Sequence, residues 1–232
     1  MKRHQYIVDF FHRNTTNYFE QLLFSRGYAY KNSKNITYKK SDLDIKPVFS
    51  MCKNNDIIPN IKSSRNFRND FIMQKDTLFK MLHQSYRFSN NSSLKSPSAG
   101  ALYPVELYII INNVESINNG VYLYNREESI LHYINSFSDL KQLNVPNNDF
   151  VKNSSCIIFM VCNLENIINK YGARGYRLCL LECGHIGQNI SIVTNKLNLK
   201  SCPIGGYYDS LVKEKLNLKE DFYPLYSYAI GV

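Results

Sequence analysis

Residues 97–108 read Pro-Ser-Ala-Gly-Ala-Leu-Tyr-Pro-Val-Glu-Leu-Tyr and run directly into three isoleucines at 109–111. The first half is a loop of small, proline and glycine residues, and the second half predicts a buried strand over 105–111. Gly100 lets the backbone approach a flat ligand, Ser98 offers a hydroxyl, and Tyr103 offers an aromatic face. An ordinary proline and glycine turn has the same composition, so the loop alone leaves both interpretations open.

On the N-terminal side of this loop, the spacing predicts a helix that begins at Asp76. Its carboxylate can accept the unpaired N–H groups of the first turn. Leu78, Met81, Leu82 and Tyr86 recur on one face, which indicates the side that packs against the core.

On the C-terminal side, apolar runs bounded by turn residues predict strands at 120–124, 130–134, 156–162 and 223–232. A short helix is expected to end near Tyr171, a turn-rich loop to cover 201–208, and Asp209 to cap a last short helix. Helices interleaved with a mostly antiparallel sheet give an α+β domain.

The longest helix is predicted over 174–197. Small residues fall at every fourth position of it: Gly175, Cys179, Cys183, Gly187 and Ser191. Such a stripe lets another backbone come close, which indicates either a central helix or a dimer-interface helix.

A chain of 232 residues with 44% hydrophobic content can bury one substantial core. Residues 1–60 lack strong periodicity and are expected to form an irregular arm with a helical start at 18–24, making partner or dimer contacts. Residues 61–232 are expected to form the single ligand-binding domain.

Charge and cysteine content exclude several classes. The formal charge of +9 comes from lysines spread among asparagines, which is typical of a solvated surface and not of a nucleic-acid site. The six cysteines lack paired CxxC spacing, so we expect free thiols. No apolar run is long enough for a membrane span or a signal peptide, so a cytoplasmic protein without a membrane partner is expected.

Three further segments carry candidate chemistry. Residues 63–68 place Arg65 and Arg68 near Asn66 just before a helix, which suits a phosphate clamp, although a basic turn has the same composition. Residues 201–208 can aim glycine N–H groups at a ligand edge. Residues 170–177 combine a lysine, two tyrosines and two arginines, where Lys170 is expected to be partly desolvated and to exchange protons near neutrality, unless the cluster only caps a helix.

Glu182 and His185 have the Glu-x-x-His spacing of some metal sites. A di-iron bundle needs a second copy of that motif and two more glutamates, and the sequence has no second copy. We therefore expect no metal, and we expect both side chains to be hydrogen-bonded core or interface groups.

Taken in order, these segments resemble the SagB-type, or McbC-like, azoline dehydrogenase branch of the nitroreductase family. Residues 65–68 are similar to its Arg-Ser-x-Arg flavin-phosphate motif, with Asn66 at the serine position. Residues 97–108 follow its Pro-Ser-x-Gly-x-x-Tyr/His-Pro-x-Glu-x-Tyr pattern, and residues 170–177 its Lys-Tyr-x-x-Arg-x-Tyr-Arg pattern. Residues 11–15, 184–189 and 201–206 look like its other motifs.

The resemblance implies an FMN-binding, homodimeric nitroreductase-like fold, with a central mostly antiparallel sheet flanked by helices and a flavin at each subunit interface. It also implies a cyclodehydratase as partner and an azoline-containing precursor peptide as substrate. Lys170 and Tyr171 are the expected catalytic residues. The expected FMN contacts are Arg65, Asn66, Arg68, Ser98, Gly100, Tyr103, Gln188, Pro203, Ile204, Gly205 and Gly206.

The implied reaction oxidises thiazolines or oxazolines in a ribosomally made peptide to thiazoles or oxazoles. It needs one positioned base for the proton on the former α-carbon and one flat acceptor for the hydride. Lys170 is the expected base, with Tyr171 as relay or orienting acid. Two alternatives stay open: a general NAD(P)H-dependent nitro or quinone reductase, and a non-catalytic scaffold of a peptide-modifying complex.

Overall fold

A single six-stranded sheet forms the centre of the computed structural model, which describes residues 2–15, 59–87, 94–137, 139–145 and 148–232. The strands are β1 (Val105–Ile111), β2 (Gly120–Asn125), β3 (Ile130–Asn135), β4 (Cys156–Asn163), β5 (Lys200–Ile204) and β6 (Phe222–Gly231). Their order is β3-β2-β1-β4-β6-β5, and every neighbouring pair is antiparallel. The predicted α+β class and the predicted strands are confirmed.

The α-helices of the described residues are α1 (Lys2–Thr15), α2 (Lys75–Ser85), α3 (Leu164–Tyr171), α4 (Arg174–Lys196) and α5 (Asp209–Lys215). Side chains alternate between the two faces of the central strand β4. Ile158 and Met160 pack in the cluster that includes α2 and α4, while Ile157 and Phe159 pack on the opposite face with residues around Val212 of α5. Both faces of the sheet are thus covered, which explains the nearly continuous apolar sequence of β4.

The stretch 201–208 was predicted as loop, and this is wrong for its first half. Ser201–Ile204 lie in β5 and pair with β6. Proline lacks an N–H and usually interrupts a strand. Pro203 lies in β5, which is an edge strand, where proline is tolerated.

Two capping predictions are also wrong. The N-cap of α2 is Gln74 and not Asp76, and the N-cap of α5 is Tyr208 and not Asp209. Both aspartates lie one or two residues inside the helix, where a carboxylate still faces the positive end of the helix dipole. The predicted apolar face of α2 is confirmed, since Leu78, Met81 and Leu82 are fully buried.

The small-residue stripe of α4 packs within the chain. A Cβ on Gly175 would lie 2.9 Å from the carbonyl oxygen of Ile167, and a Cβ on Gly187 would lie 2.9 Å from the ring of Tyr228. Ser191 Oγ donates to Tyr228 Oη at 3.1 Å. Of the two roles predicted for the stripe, the central helix is confirmed, and the stripe gives no support for a dimer.

Residues 2–15 form a helix and not the irregular arm that was predicted. Val8 and His12 of α1 are buried against the chain's own body. His12 Nδ1 lies 2.9 Å from Tyr176 Oη, and His12 Nε2 lies 3.9 Å from Asp209 Oδ1. Burial, together with the charge of Lys213, lowers the pKa of His12 to about 4. The predicted helical start at 18–24 lies outside the described residues, and the division of the chain at residue 60 stays a prediction.

The described cysteines are free thiols, as predicted, and they are buried: Cys156, Cys162, Cys179, Cys183 and Cys202. Cys52 lies outside the described residues. Among the helices that the structure describes, none combines the length and apolar character needed to cross a membrane.

Candidate functional site

The loop before β1 has an unusual backbone that its own side chains help to fix. Gly100, Ala101 and Tyr103 have φ of 61°, 53° and 46°, in the left-handed region that favours glycine. Ser98 Oγ accepts a hydrogen bond from Tyr103 N at 2.9 Å, and Leu94 N donates to Tyr103 Oη at 3.3 Å. The loop is therefore a rigid feature at the end of the sheet where β1 begins.

Lys170 and Tyr171 end α3 directly beside this loop. Gly172 terminates the helix with φ 60° and donates from its N–H to Ile168 O at 2.8 Å. A Cβ on Gly100 would lie 2.6 Å from Lys170 Nζ and 2.5 Å from Tyr171 Oη. The structure thus brings together the two motifs that the sequence placed 70 residues apart.

The environment of Lys170 differs from the prediction. Tyr171 is half-buried, whereas the Lys170 side chain is exposed. Its Nζ lies 5.5 Å from the centroid of the Tyr171 ring. Arg174 and Arg177, on the first turn of α4, are exposed as well.

The arginine motif lies along the end of the sheet where β6 ends and β4 begins. Ser64 N donates to Ser201 O at 2.9 Å, and Arg68 N donates to Val232 O. Arg65 is exposed, with its guanidinium carbon 5.9 Å from the Phe150 ring.

Asn66 and Arg68 complete the motif on the surface. Both are exposed. Arg68 donates two hydrogen bonds to Asp70, from Nε to Oδ1 at 3.1 Å and from Nη2 to Oδ2 at 2.8 Å. Arg68 would have to exchange this carboxylate for a phosphate.

The motif at 203–206 lies where β5 ends. Ile204 is buried, and its carbonyl oxygen accepts from Ser227 Oγ at 3.0 Å. Gly206 packs on Val145, while Gly205 is exposed with nothing within 4 Å of where a side chain would stand. Open space beside Gly205 gives a planar ligand access to backbone.

Gln188 is exposed on the outward face of α4. The same face carries Leu180 and Leu181, which are 40% and 55% exposed.

The two groups of predicted site residues lie at opposite ends of the sheet. Arg65 and Arg68 lie near the start of β4, where Cys156 pairs with Ile230. Gly100, Lys170 and Tyr171 lie at its other end, near Asn163, whose N–H donates to Pro104 O at 2.9 Å. The eight residues of β4 span about 23 Å. One chain therefore does not unite the arginine motif with Lys170.

Sequence reasoning missed Arg126, which no motif contains. Its guanidinium donates to Tyr103 O at 3.0 Å, Val105 O at 2.7 Å and Tyr86 Oη at 2.8 Å. The sequence around Arg126 reads as an exposed hairpin turn, so no local signal identifies it.

The two residues of the Glu-x-x-His pair differ in burial. Glu182 is 1% exposed, with Oε1 3.5 Å from Tyr86 Oη, as predicted for a core group, while His185 is exposed. Burial raises the pKa of Glu182. The described residues contain no group of three or more His, Cys, Asp and Glu side chains that could hold a metal ion.

Comparison with known proteins places this arrangement in a family, because the nitroreductase family model matches residues 61–232. The chain belongs to the nitroreductase family. Among nitroreductase relatives, it is 30% identical over 164 residues to the nitroreductase candidate MJ1384 of Methanocaldococcus jannaschii, which covers 66% of this chain and 78% of that protein. It is 28% identical over 190 residues to the microcin B17-processing protein McbC of Escherichia coli, which covers 69% of this chain and 66% of McbC.

A solved structure is similar in fold over a longer part of the chain. The E. coli microcin synthetase McbBCD complex, with truncated pro-MccB17 bound, contains a chain that matches with a TM-score of 0.79 at 24% identity. The match covers 100% of this chain and 94% of that one. The predicted nitroreductase-like fold and the likeness to McbC are confirmed.

Proposed function

We propose that this chain is an FMN-dependent dehydrogenase that oxidises thiazolines or oxazolines in a ribosomally made precursor peptide to thiazoles or oxazoles. The observation that carries the proposal is the convergence of Lys170 Nζ and Tyr171 Oη on the space beside Gly100. Ring oxidation requires a base held at a defined position, and this arrangement supplies one. Similarity to McbC, which is named for processing microcin B17, supports a peptide substrate.

The residues present fit FMN. Arg65, Asn66 and Arg68 are all exposed, and a guanidinium fork matches phosphate oxygens. Gly205 leaves open space beside the backbone at the end of β5. When bound, FMN would supply the two-electron acceptor that the oxidation needs.

The chain's own residues would handle the proton and the substrate. Lys170 is exposed at the end of α3, so a peptide can reach its amine. It would take the proton from the former α-carbon of the azoline. Tyr171, which is half-buried beside it, would orient the amine or relay the proton.

We further propose a homodimer in which each site takes residues from both chains. The arginine motif and Lys170 lie at opposite ends of the sheet, so a second chain is needed to unite them. Exposed apolar side chains on α1 and α4 support a contact surface: Tyr6 is 69%, Phe10 61% and Leu181 55% exposed. FMN would then lie at each of two subunit interfaces, with residues 61–232 as its binding domain.

The proposed partners are an azoline-containing precursor peptide and the cyclodehydratase that makes its rings. The microcin synthetase complex supports this, because it holds a chain of the same fold together with other subunits and a truncated peptide. Helix α1 buries Val8 and His12 against its own chain and leaves Tyr6 and Phe10 exposed, so this exposed face would make the partner or dimer contacts proposed for residues 1–60.

The test is an assay under air with purified protein, added FMN and a synthetic thiazoline peptide, in which dioxygen takes the two electrons from the reduced flavin after each ring is oxidised. We expect the peptide to lose two mass units and to gain thiazole absorbance, without any NAD(P)H. A protein that consumes NAD(P)H with a nitroarene or quinone and leaves the peptide unchanged would be a general reductase. A protein that does neither and binds no flavin would be a scaffold.

A further inference from the structure

The strained loop before β1 requires support from outside itself. Ala101 and Tyr103 adopt left-handed φ values of 53° and 46° without being glycine. Such conformations persist only where the surrounding structure over-determines them. The bond from Tyr103 N to Ser98 Oγ lies within the loop and does not attach it to the sheet.

Arg126 supplies an attachment to the sheet, in addition to the hydrogen bond that joins Ser98 to Glu182 of α4. It lies in the turn between β2 and β3, and its side chain reaches the loop from the neighbouring strands. One arm of the guanidinium donates to Tyr103 O at 3.0 Å, and the other donates to Val105 O at 2.7 Å. The planar group thus bridges the last strained residue of the loop and the first residue of β1.

Arg126 is itself held by a buried network. Its Nη1 donates to Tyr86 Oη at 2.8 Å, and its guanidinium carbon lies 5.4 Å from the Tyr86 ring. Tyr86 Oη donates to Val105 O at 2.8 Å and lies 3.5 Å from Glu182 Oε1. Tyr86 and Glu182 are each 1% exposed. Buried side chains at the end of α2 and on α4 thus hold the Arg126 guanidinium in place.

The fixed loop determines where the proposed catalytic groups can lie. Lys170 Nζ and Tyr171 Oη occupy the space that a side chain on Gly100 would fill. A movement of Gly100 would therefore release or displace both groups. We propose that Arg126 is a positioning residue, which acts through the loop at 98–103 to hold Lys170 and Tyr171 in place. This inference rests on the proposed function for its catalytic consequence, but not for its structural one.

The structural consequence can be measured without turnover. Lysines of the purified protein are labelled by reductive ¹³C-methylation, and the Lys170 resonance is identified by its loss in Lys170→Arg. We expect Arg126→Met to shift this resonance. The matched control Arg87→Met removes another half-buried arginine, which contacts His83 at 3.0 Å and not the loop, and should leave the resonance in place.

The catalytic consequence is measured by a double-mutant cycle on the single-turnover rate with a thiazoline peptide. Arg126→Met should slow oxidation at least about tenfold when Lys170 is present and less than about twofold in a Lys170→Met background, because coupled residues are not additive. If Arg126→Met does not fold, Tyr86→Phe removes one acceptor of the guanidinium while keeping the ring, and a smaller change in the same direction is expected.

An unchanged Lys170 resonance in Arg126→Met, or in Tyr86→Phe if the first variant does not fold, would overturn the inference. A shifted resonance together with full activity in Lys170→Met would instead overturn the proposed base and leave the positioning role of Arg126 standing. If Arg126→Met reduced the single-turnover rate by the same factor with Lys170 present and with Lys170→Met, Arg126 would act on overall stability. That result would also overturn the inference.

Discussion

Gly100 lies so close to Lys170 that a Cβ on Gly100 would be only 2.6 Å from Lys170 Nζ. Two segments that share no local sequence relationship meet because the loop leads into β1 while α3 follows β4, and these two strands are neighbours. Glycine is required at position 100 both by this contact and by its φ of 61°.

Gly100→Ala should therefore lower the free energy of unfolding and slow azoline oxidation. The left-handed backbone alone should cost about 1–2 kcal/mol, and the displaced Lys170 and Tyr171 should account for the lost rate. Urea unfolding and single-turnover assays measure the two effects. Gly184→Ala, at an open helical position, is the control and should be neutral or stabilising. A Gly100→Ala variant with wild-type stability and rate would show that the contact is unimportant.

Gly187→Leu tests the packing of the α4 stripe. The larger side chain would meet the rings of Tyr228 and Tyr226, at 2.9 and 3.2 Å from the position of Cβ. Overpacking of this kind should lower the free energy of unfolding by about 1–3 kcal/mol. Gly184→Leu makes the same substitution on the same helix, where nothing lies within 4 Å.

Urea unfolding of both variants separates the two roles that the stripe could have. We expect a loss of stability in Gly187→Leu and none in Gly184→Leu. A Gly187→Leu protein that unfolds like the wild type but loses its dimer by light scattering would contradict the packing within the chain.

The docking of α1 should weaken in acid because of His12. Its pKa is lowered from 6.5 to about 4 by burial and by Lys213, so the docked helix favours neutral histidine. The stabilisation is fully present above pH 6.5 and is lost as the pH falls toward 4, by up to about 3 kcal/mol. Amide hydrogen exchange at Val8 reports the docking.

The pH response is compared between the wild type and His12→Gln. Protection of Val8, corrected for intrinsic exchange, should fall from pH 7 to pH 5 in the wild type. It should change much less in His12→Gln, which has no proton to take up. Equal pH responses in the two proteins would assign the effect to other groups, such as Asp9 or Asp209.

Much of this fold could be predicted from the sequence. Continuous apolar runs identified β1 and β4, and the every-fourth-residue stripe identified α4 as a central helix. The errors arose where tertiary contacts decide the outcome: Pro203 lies in an edge strand, and α1 packs on the body of the chain through Val8 and His12 while Tyr6 and Phe10 stay exposed. The site motifs were found by order and residue type. The role of Arg126 could not be predicted from the sequence, because it depends on the turn between β2 and β3 packing against the loop before β1.

Complementation between two inactive variants tests whether each site takes residues from both chains. Arg65→Ala/Arg68→Ala should lose flavin, and Lys170→Ala should keep flavin but lose oxidation. A mixture of the two, after exchange of subunits, should regain activity, because each mixed dimer then has one complete site. Each variant alone and the unexchanged mixture are the controls. A mixture that stays inactive despite mixed dimers would place both groups of one site in the same chain.

The central claim, that Lys170 removes the azoline proton, is tested most directly by the single-turnover rate of Lys170→Arg on a thiazoline peptide. Arginine keeps the charge and much of the length, but it cannot act as a base near neutrality. The account predicts a variant that folds, binds FMN like the wild type, and oxidises the peptide at least about a hundredfold more slowly, within the range of general base catalysis. A flavin-loaded Lys170→Arg protein that forms thiazole at the wild-type rate would contradict it.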